Sequence, residues 1–143
     1  MDPVVERNVD LDASPAEVWR ALTEPAELAT WFGPDVELDL RPGGGGRFVD
    51  DDGQARRAVV DEVHHGERLV LRWWPEGDDP GAGASVVTFL VSPTGSGTRL
   101  VVTERLVAGA SSASMRAAAE AARTAWMWRL DLLLLRLAAV ARV

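Results

Sequence analysis

The chain has 143 residues, 47% of them hydrophobic, a length that suits one domain with a sizeable core better than two domains. Its 22 acidic residues outnumber 15 basic ones, and the net charge of -7 argues against nucleic acid or an anionic membrane as a partner. Cysteine, tyrosine and lysine are absent, which excludes disulfides, thiolate nucleophiles, phenolic acids, Schiff bases and a phosphate-loop lysine.

Clear local signals mark the first strand and the first helix. Apolar and polar side chains alternate through Val4–Leu11, which predicts a strand. Ser14 is a suitable helix cap, and Glu17 completes a capping box with it. Pro15 fits the first helical position between them. We expect the buried face of this helix to carry Val18, Trp19 and Leu22.

A second short helix follows and ends in two aromatic residues. The sequence predicts this helix over 26–31, and it stops at Gly33 and the next proline because neither residue continues a helix well. Trp31 and Phe32 lie at that end. We therefore expect them at the rim of a cavity rather than inside the helical frame.

Strands and turns fill the segment from 35 to 106. Alternating patterns and turn residues predict a glycine-rich turn at 41–46, a hairpin turn at Asp52 and Gly53, and a mobile loop at 75–84. The connections between strands are too short for helical crossovers, so neighbouring strands should be antiparallel. The predicted strands are 36–40, 47–49, 58–63, 69–74, 85–91 and Thr98–Leu106.

Three polar motifs in this segment are interpreted as turns. His64 and His65 precede Gly66, which favours an exposed turn, and as neighbours in a strand at most one could reach a pocket. The glycines at 43–46 lack the lysine and helix start of a phosphate cradle. The three aspartates at 50–52 do not match a calcium loop, so we interpret them as a solvated hairpin tip. We therefore expect no metal and no cofactor.

One long helix is predicted to close the chain, from about 111–114 to about 142. Its apolar residues fall on two opposite faces, with Arg129 and Arg136 between them. The predicted core stripe contains Met115, Ala119, Ala122, Trp126, Leu130, Leu133, Leu137 and Val140. The second face points away from this core, so we expect it to contact a partner or to be covered by a loop. It contains Trp128, Leu132, Leu135 and Ala139.

These elements carry a set of short motifs found together in one known superfamily. The motifs are PAEVW at 15–19, ALT at 21–23, WFG at 31–33, RPGG at 41–44, GTRL at 97–100, and Trp126 followed by Leu130 and Leu133. In combination the chain resembles the START-like helix-grip (SRPBCC) superfamily. It is most similar to the branch named for the activator of heat-shock-protein ATPase homologue. One departure is Ala125, where members often carry glycine.

The resemblance covers nearly the whole chain and implies a fold but no single activity. It implies one α+β helix-grip domain over 1–143, with a curved antiparallel sheet of six to seven strands around a long C-terminal helix. A deep cavity would lie between the sheet and this helix. Relatives in the superfamily include lipid and hormone carriers, polyketide cyclases, antibiotic-sequestering proteins and co-chaperones.

Large apolar side chains and one carboxylate are the candidate ligand contacts. The aromatic residues either line a pocket or fill the core, and both readings are open. If Leu100 and Val102 point inward, strand parity turns Glu104 inward as well. Glu104 would then bind a ligand or act as a general base, unless it pairs with Arg72 or Arg47. The predicted ligand-binding residues are Trp31, Phe32, Trp73, Phe89, Glu104, Trp126 and Leu130.

Three functional hypotheses follow. The first is a binding protein for a hydrophobic or aromatic small molecule, such as a lipid, a polyketide or an antibiotic-like compound. Its walls would be Trp31, Trp73 and Trp126, its polar anchor Glu104 or Arg72, and its lid 75–84. The second is a cyclase- or hydrolase-type enzyme in which Glu104 and a histidine move protons, although no catalytic set is identified. The third is an interaction role, either as a stress-related ATPase activator or as a homodimer through Trp128, Leu132 and Leu135.

Location is predicted from the absence of targeting signals. The N-terminal residues lack the apolar stretch of a secretory signal, and no run of about 18 apolar residues occurs. We therefore expect a cytoplasmic protein that does not insert into membranes.

Overall fold

A computed structural model describes residues 4–50, 52–78, 84–106 and 112–141, and within the last range it describes side chains for 116–137. It has seven strands and three helices in these ranges. In chain order they are β1 Val4–Leu11, α1 Pro15–Thr23, α2 Pro25–Trp31, β2 Asp35–Leu38, β3 Gly45–Val49, β4 Ala55–His64, β5 Arg68–Pro75, β6 Ser85–Pro93, β7 Thr98–Leu106 and α3 Ser112–Ala141.

The strands form one antiparallel sheet in the order β1-β7-β6-β5-β4-β3-β2. Helix α3 packs against β1, β7 and α2. The predicted helix-grip fold is therefore confirmed, with seven strands. Among the described residues, no helix combines the length and apolar composition needed to cross a membrane.

The local signals in the sequence correctly locate the first elements. Ser14 accepts a hydrogen bond from the backbone N–H of Glu17, and the carboxylate of Glu17 accepts in return, which forms the predicted capping box. Val18, Trp19 and Leu22 are buried on one face of α1, as expected. The two prolines at the helix starts fix the backbone angle there without losing a needed hydrogen bond.

The boundaries of β2 and β3 differ from the prediction around the glycine-rich turn. Strand β2 ends at Leu38 rather than at residue 40, and β3 begins at Gly45, inside the predicted turn. Gly45 and Gly46 pair with β4, so ladder hydrogen bonds outweigh the low strand preference of glycine. The turns predicted at 52–53 and 64–66 are confirmed, and the glycine-rich turn ends earlier than predicted, before Gly45. Gly43, Gly53 and Gly66 have φ angles of +84°, +86° and +81°.

The two faces of α3 are confirmed where side chains are described. Ala119, Trp126, Leu130, Leu133 and Leu137 are buried, and Ala122 packs partly buried against them. On the opposite face Trp128, Leu132 and Leu135 are exposed, at 65%, 38% and 66% respectively. The other members of the two predicted groups, Met115, Val140 and Ala139, lie outside the side chains that the structure describes.

Candidate functional site

A cavity of about 240 Å³ lies between α3 and the ends of β5, β6 and β7. The helix contributes only small side chains apart from one arginine, so space remains where larger residues would fill the interior. The aromatic floor comes from β5. The lining residues are Arg56, Trp73, Trp74, Pro75, Ser85, Glu104, Leu106, Ala118, Ala121, Ala122, Ala125 and Arg129.

Glu104 is the buried carboxylate in this wall. It is 6% exposed and shares the inward face of β7 with Leu100 and Val102, so the parity prediction is confirmed. Its two oxygens accept indole N–H groups, Oε2 from Trp73 at 3.0 Å and Oε1 from Trp126 at 2.8 Å. These bonds offset part of the cost of burying the charge.

The two indoles that bind Glu104 also stack on each other. The rings of Trp73 and Trp126 lie 5.8 Å apart between centroids and only 9° from parallel. Phe32 contacts both rings, with centroid distances of 5.9 Å and 6.5 Å. The carboxylate therefore fixes the rotation of two large rings, one of which is a wall of the cavity.

The predicted alternative partners of Glu104 are wrong. Arg72 is exposed and donates to Asp61 at 2.9 Å, because its position in β5 alternates with that of inward Trp73. Arg47 donates to Glu76 at 3.0 Å. Arg72 is accordingly also wrong as the polar anchor of the cavity.

Arg129 is the buried cation of the site. Its side chain is 7% exposed, and its guanidinium carbon lies 4.4 Å from the centre of the Phe32 ring and 4.7 Å from that of Trp126. Burial lowers the pKa of Arg129, and the nearby charge of Asp50 opposes that shift. An arginine nevertheless keeps its charge at neutral pH. The guanidinium is thus held by aromatic faces and by one carboxylate.

Asp50 joins this cation to a second one. Its carboxylate accepts from Nη1 of Arg56 at 2.6 Å and from Nη2 of Arg129 at 3.2 Å. The interpretation of 50–52 as a solvated tip is wrong for Asp50, whose side chain is only 17% exposed. It holds for Asp52, which is exposed, while residue 51 lies outside the described residues.

A glycine allows this hairpin to approach the helices. A Cβ atom on Gly33 would lie 1.9 Å from the carbonyl oxygen of Val49, so no larger residue fits without a backbone shift. Gly33 follows Phe32 directly, and Asp50 follows Val49. The close contact therefore brings the Phe32 ring and the Asp50 carboxylate together around the guanidinium of Arg129.

The seven predicted ligand-binding residues occupy different positions around the cavity. Trp73 and Glu104 line it, and Trp126 contacts both of them. Phe32 packs below Arg129. The remaining three are buried in the core and are not among the lining residues: Trp31, Phe89 and Leu130. Contact with a ligand stays a prediction for all seven.

The histidines lie outside the cavity lining, whereas the predicted lid contributes Pro75 to it. His64 and His65 are exposed, as expected, and neither lines the cavity. The imidazole of His64 lies 3.4 Å from Glu62, and that of His65 packs edge-on against Trp19. Of the predicted lid, residues 79–83 lie outside the described residues.

Sequence reasoning missed three charged residues of the site. Arg56 had a usable signal, because it has the same parity in β4 as the buried residues Ala58 and Val60. Arg129 lies between the two apolar faces of α3, where periodicity alone does not decide burial. Asp50 had no signal, since its environment depends on contacts far away in sequence.

Comparisons with known proteins agree with this geometry. The family model described as activator of Hsp90 ATPase homologue 1-like protein matches residues 12–134. No curated protein is similar enough to the chain to count as a relative.

Solved structures with this fold include three informative ones. MLL2253 from Mesorhizobium loti is 26% identical, with a TM-score of 0.78 over 92% of this chain and 93% of that one. DynU16, a protein of the dynemicin biosynthetic locus, is 25% identical, with a TM-score of 0.79 over 94% of this chain and 46% of its own. CalU16 from Micromonospora echinospora is 23% identical, with a TM-score of 0.65 over 93% and 82%; at that identity it shows the fold alone.

Proposed function

The chain belongs to the family of activator of Hsp90 ATPase homologue 1-like proteins, and on that premise we propose that it is a binding protein for a small aromatic molecule. The observation that carries the proposal is the cavity beside the stacked pair Trp73 and Trp126. Aromatic walls with a few converging polar groups are typical of small-molecule sites. The location of DynU16 in a biosynthetic locus supports a role with a small organic molecule.

The size of the cavity limits the ligand. Its volume is about 240 Å³, whereas an apolar cavity of about 150 Å³ already holds benzene. A ligand of one or two rings therefore fits, while a longer lipid would need space outside the described walls. Trp73 and the alanines of α3 line the cavity and offer the apolar contacts for such a ring.

The proposal is tested by calorimetric titration with the neutral probe 2-naphthamide. We expect binding to the wild type with a dissociation constant of about 0.1 mM, because the apolar area that one such ring buries contributes several kcal/mol and the lost freedom of the bound probe offsets part of it. Ala121 is exposed and lines the cavity, so Ala121→Phe should fill its mouth and abolish binding without disturbing the core. The matched control is Ala117→Phe, an exposed position of α3 that does not line the cavity.

Two outcomes would contradict this function. One is that the wild type gives no binding heat with 2-naphthamide, with 2-naphthoate or with 2-naphthylmethylammonium. The other is equal binding by Ala121→Phe and the wild type, since the probe would then occupy another surface. Thermal unfolding of both variants checks that each is folded before the titrations are compared.

A second candidate function, homodimerisation, is favoured by the exposed face of α3. Trp128, Leu132 and Leu135 are spaced so that they lie along one side of the helix, and all three are exposed. Such a stripe can pair with its own copy in antiparallel orientation and form a two-fold interface. Soluble monomers seldom leave several large apolar side chains together in water.

Light scattering across a concentration series tests the dimer. We expect twice the monomer mass for the wild type and the monomer mass for Leu135→Glu. The substitution is at an exposed position, so it should not affect folding. A monomeric wild type at high concentration would contradict the dimer and would leave the ligand proposal standing.

A further inference from the structure

We infer that the cavity selects an aromatic ligand with a single anionic group, such as a carboxylate, which Arg56 and Arg129 bind. This inference rests on the proposed function and deepens it by naming the ligand class. It follows from the signs of the charges at the wall and from which polar groups already have partners.

The charges at the wall favour an anion. Two guanidinium groups, those of Arg56 and Arg129, and one carboxylate, Glu104, line the cavity. Asp50 binds both guanidinium groups and is not among the lining residues. The three lining charges (+1, +1 and −1) therefore sum to +1, and Asp50 behind the two guanidinium groups brings the cluster of four to zero, so an anionic ligand meets no acidic excess. A cationic ligand would instead face two guanidinium groups, and like charges repel.

The hydrogen-bonding capacity of the wall also favours an acceptor on the ligand. Both oxygens of Glu104 already accept indole N–H groups. Each guanidinium has five N–H donors, and among the described residues Arg56 and Arg129 donate to Asp50 alone, through Nη1 and Nη2 respectively. The unused capacity of the wall is therefore mainly donor capacity. A planar carboxylate suits the fork of a guanidinium better than any neutral acceptor does.

Aromatic surface next to these donors explains why the anion should carry a ring. The guanidinium carbon of Arg56 lies 5.2 Å from the ring centre of Trp73, and that of Arg129 lies 5.4 Å from the same ring. Both cations therefore flank the indole that lines the cavity. A ligand ring packed beside Trp73 would direct its carboxylate toward them.

The test compares three probes that differ in charge and share one ring system: 2-naphthoate, 2-naphthamide and 2-naphthylmethylammonium. Each is titrated by calorimetry at neutral pH and about 0.15 M salt, where long-range repulsion by the acidic surface is screened. We expect the carboxylate to bind about tenfold more tightly than the amide, because charge-assisted hydrogen bonds are the stronger ones. The ammonium should bind more weakly than the amide.

A pair of adjacent variants locates the effect. Arg56→Gln removes a cation from the cavity wall, whereas Arg57→Gln removes the same charge from an exposed position where Arg57 pairs with Glu76. We expect Arg56→Gln to reduce the preference for carboxylate over amide to about twofold, and Arg57→Gln to leave it unchanged. Both substitutions change the net charge equally, so a difference between them cannot arise from the overall field.

The outcomes separate this inference from the function on which it rests. If 2-naphthamide and 2-naphthoate bind equally well to the wild type, the anion selectivity is overturned and the binding function stands. If Arg57→Gln loses as much selectivity as Arg56→Gln, the assignment to the cavity wall is overturned. If none of the three probes binds, both proposals fail.

Discussion

The carboxylate of Glu104 should be one of the main determinants of stability in this protein, and Glu104→Gln tests this. The substitution keeps the shape of the side chain and removes its charge. The amide offers one oxygen, so it can satisfy Trp73 or Trp126 but turns its NH₂ group toward the other indole N–H. The second indole N–H and the amide N–H that faces it are then left without an acceptor, and the nearby Arg129 loses a compensating negative charge.

The expected cost in stability has two parts: the hydrogen bond lost with the charged carboxylate, and the buried donors that no longer have an acceptor. A hydrogen bond to a charged group contributes about 1.5–3 kcal/mol, and an unsatisfied buried donor costs about 1–3 kcal/mol. These two costs partly describe the same broken contact, so they do not add in full. We therefore expect the free energy of unfolding to fall by about 2–4 kcal/mol. With a urea dependence of about 2 kcal/mol per molar, the midpoint should move down by about 1–2 M.

Urea unfolding followed by tryptophan fluorescence measures this shift. The matched control is Glu6→Gln, because Glu6 is exposed on β1 next to β7 and loses the same charge. We expect the control to change the midpoint by less than about 0.3 M, as most exposed substitutions do. A Glu104→Gln protein as stable as the control would refute the claim that the carboxylate holds the two indoles.

Three further predictions concern the surroundings of the site. Asp50→Asn should lower the free energy of unfolding by about 2–4 kcal/mol, because it leaves two close arginines without their shared counter-ion. Thermal unfolding measures this loss, and the control Asp52→Asn should be nearly unchanged in the same assay. Gly33→Ala should cost about 3 kcal/mol or more in the same assay, since its Cβ would overlap a backbone oxygen; a cost below 1 kcal/mol would mean that the hairpin moves aside freely. The hydrogen bond from Arg47 lowers the pKa of Glu76 in the folded protein. The ionised Glu76 therefore stabilises the fold at pH values above its pKa in the unfolded chain, and this stabilisation is lost as the pH falls through its pKa in the folded protein. Wild type and Glu76→Gln should therefore differ slightly at neutral pH and converge in acid.

The sequence was most predictive where a repeating pattern decides which way a side chain points. Alternation along β7 placed Glu104 inside together with Leu100 and Val102. The same rule, extended one pair of residues along β4, would have placed Arg56 inside as well. Patterns of this kind are properties of the backbone itself and need no knowledge of the remaining fold.

The partners of Glu104 could not be predicted, because they depend on tertiary distances. Parity showed that the carboxylate is buried, but not that two indoles from β5 and α3 would reach its two oxygens. The same holds for Asp50, which meets Arg129 where the hairpin packs closely against Gly33, just after α2. Local composition made Asp50 resemble a solvated turn, and the tertiary contact overrode that signal.

A crystal structure with 2-naphthoate would show whether the cavity beside Trp73 holds an aromatic ligand. We expect density for the ring between Trp73 and the alanines of α3, with the carboxylate within hydrogen-bonding distance of Arg56 or Arg129. An empty cavity at saturating probe, with the ring instead on the exposed face at Trp128, would contradict this proposal.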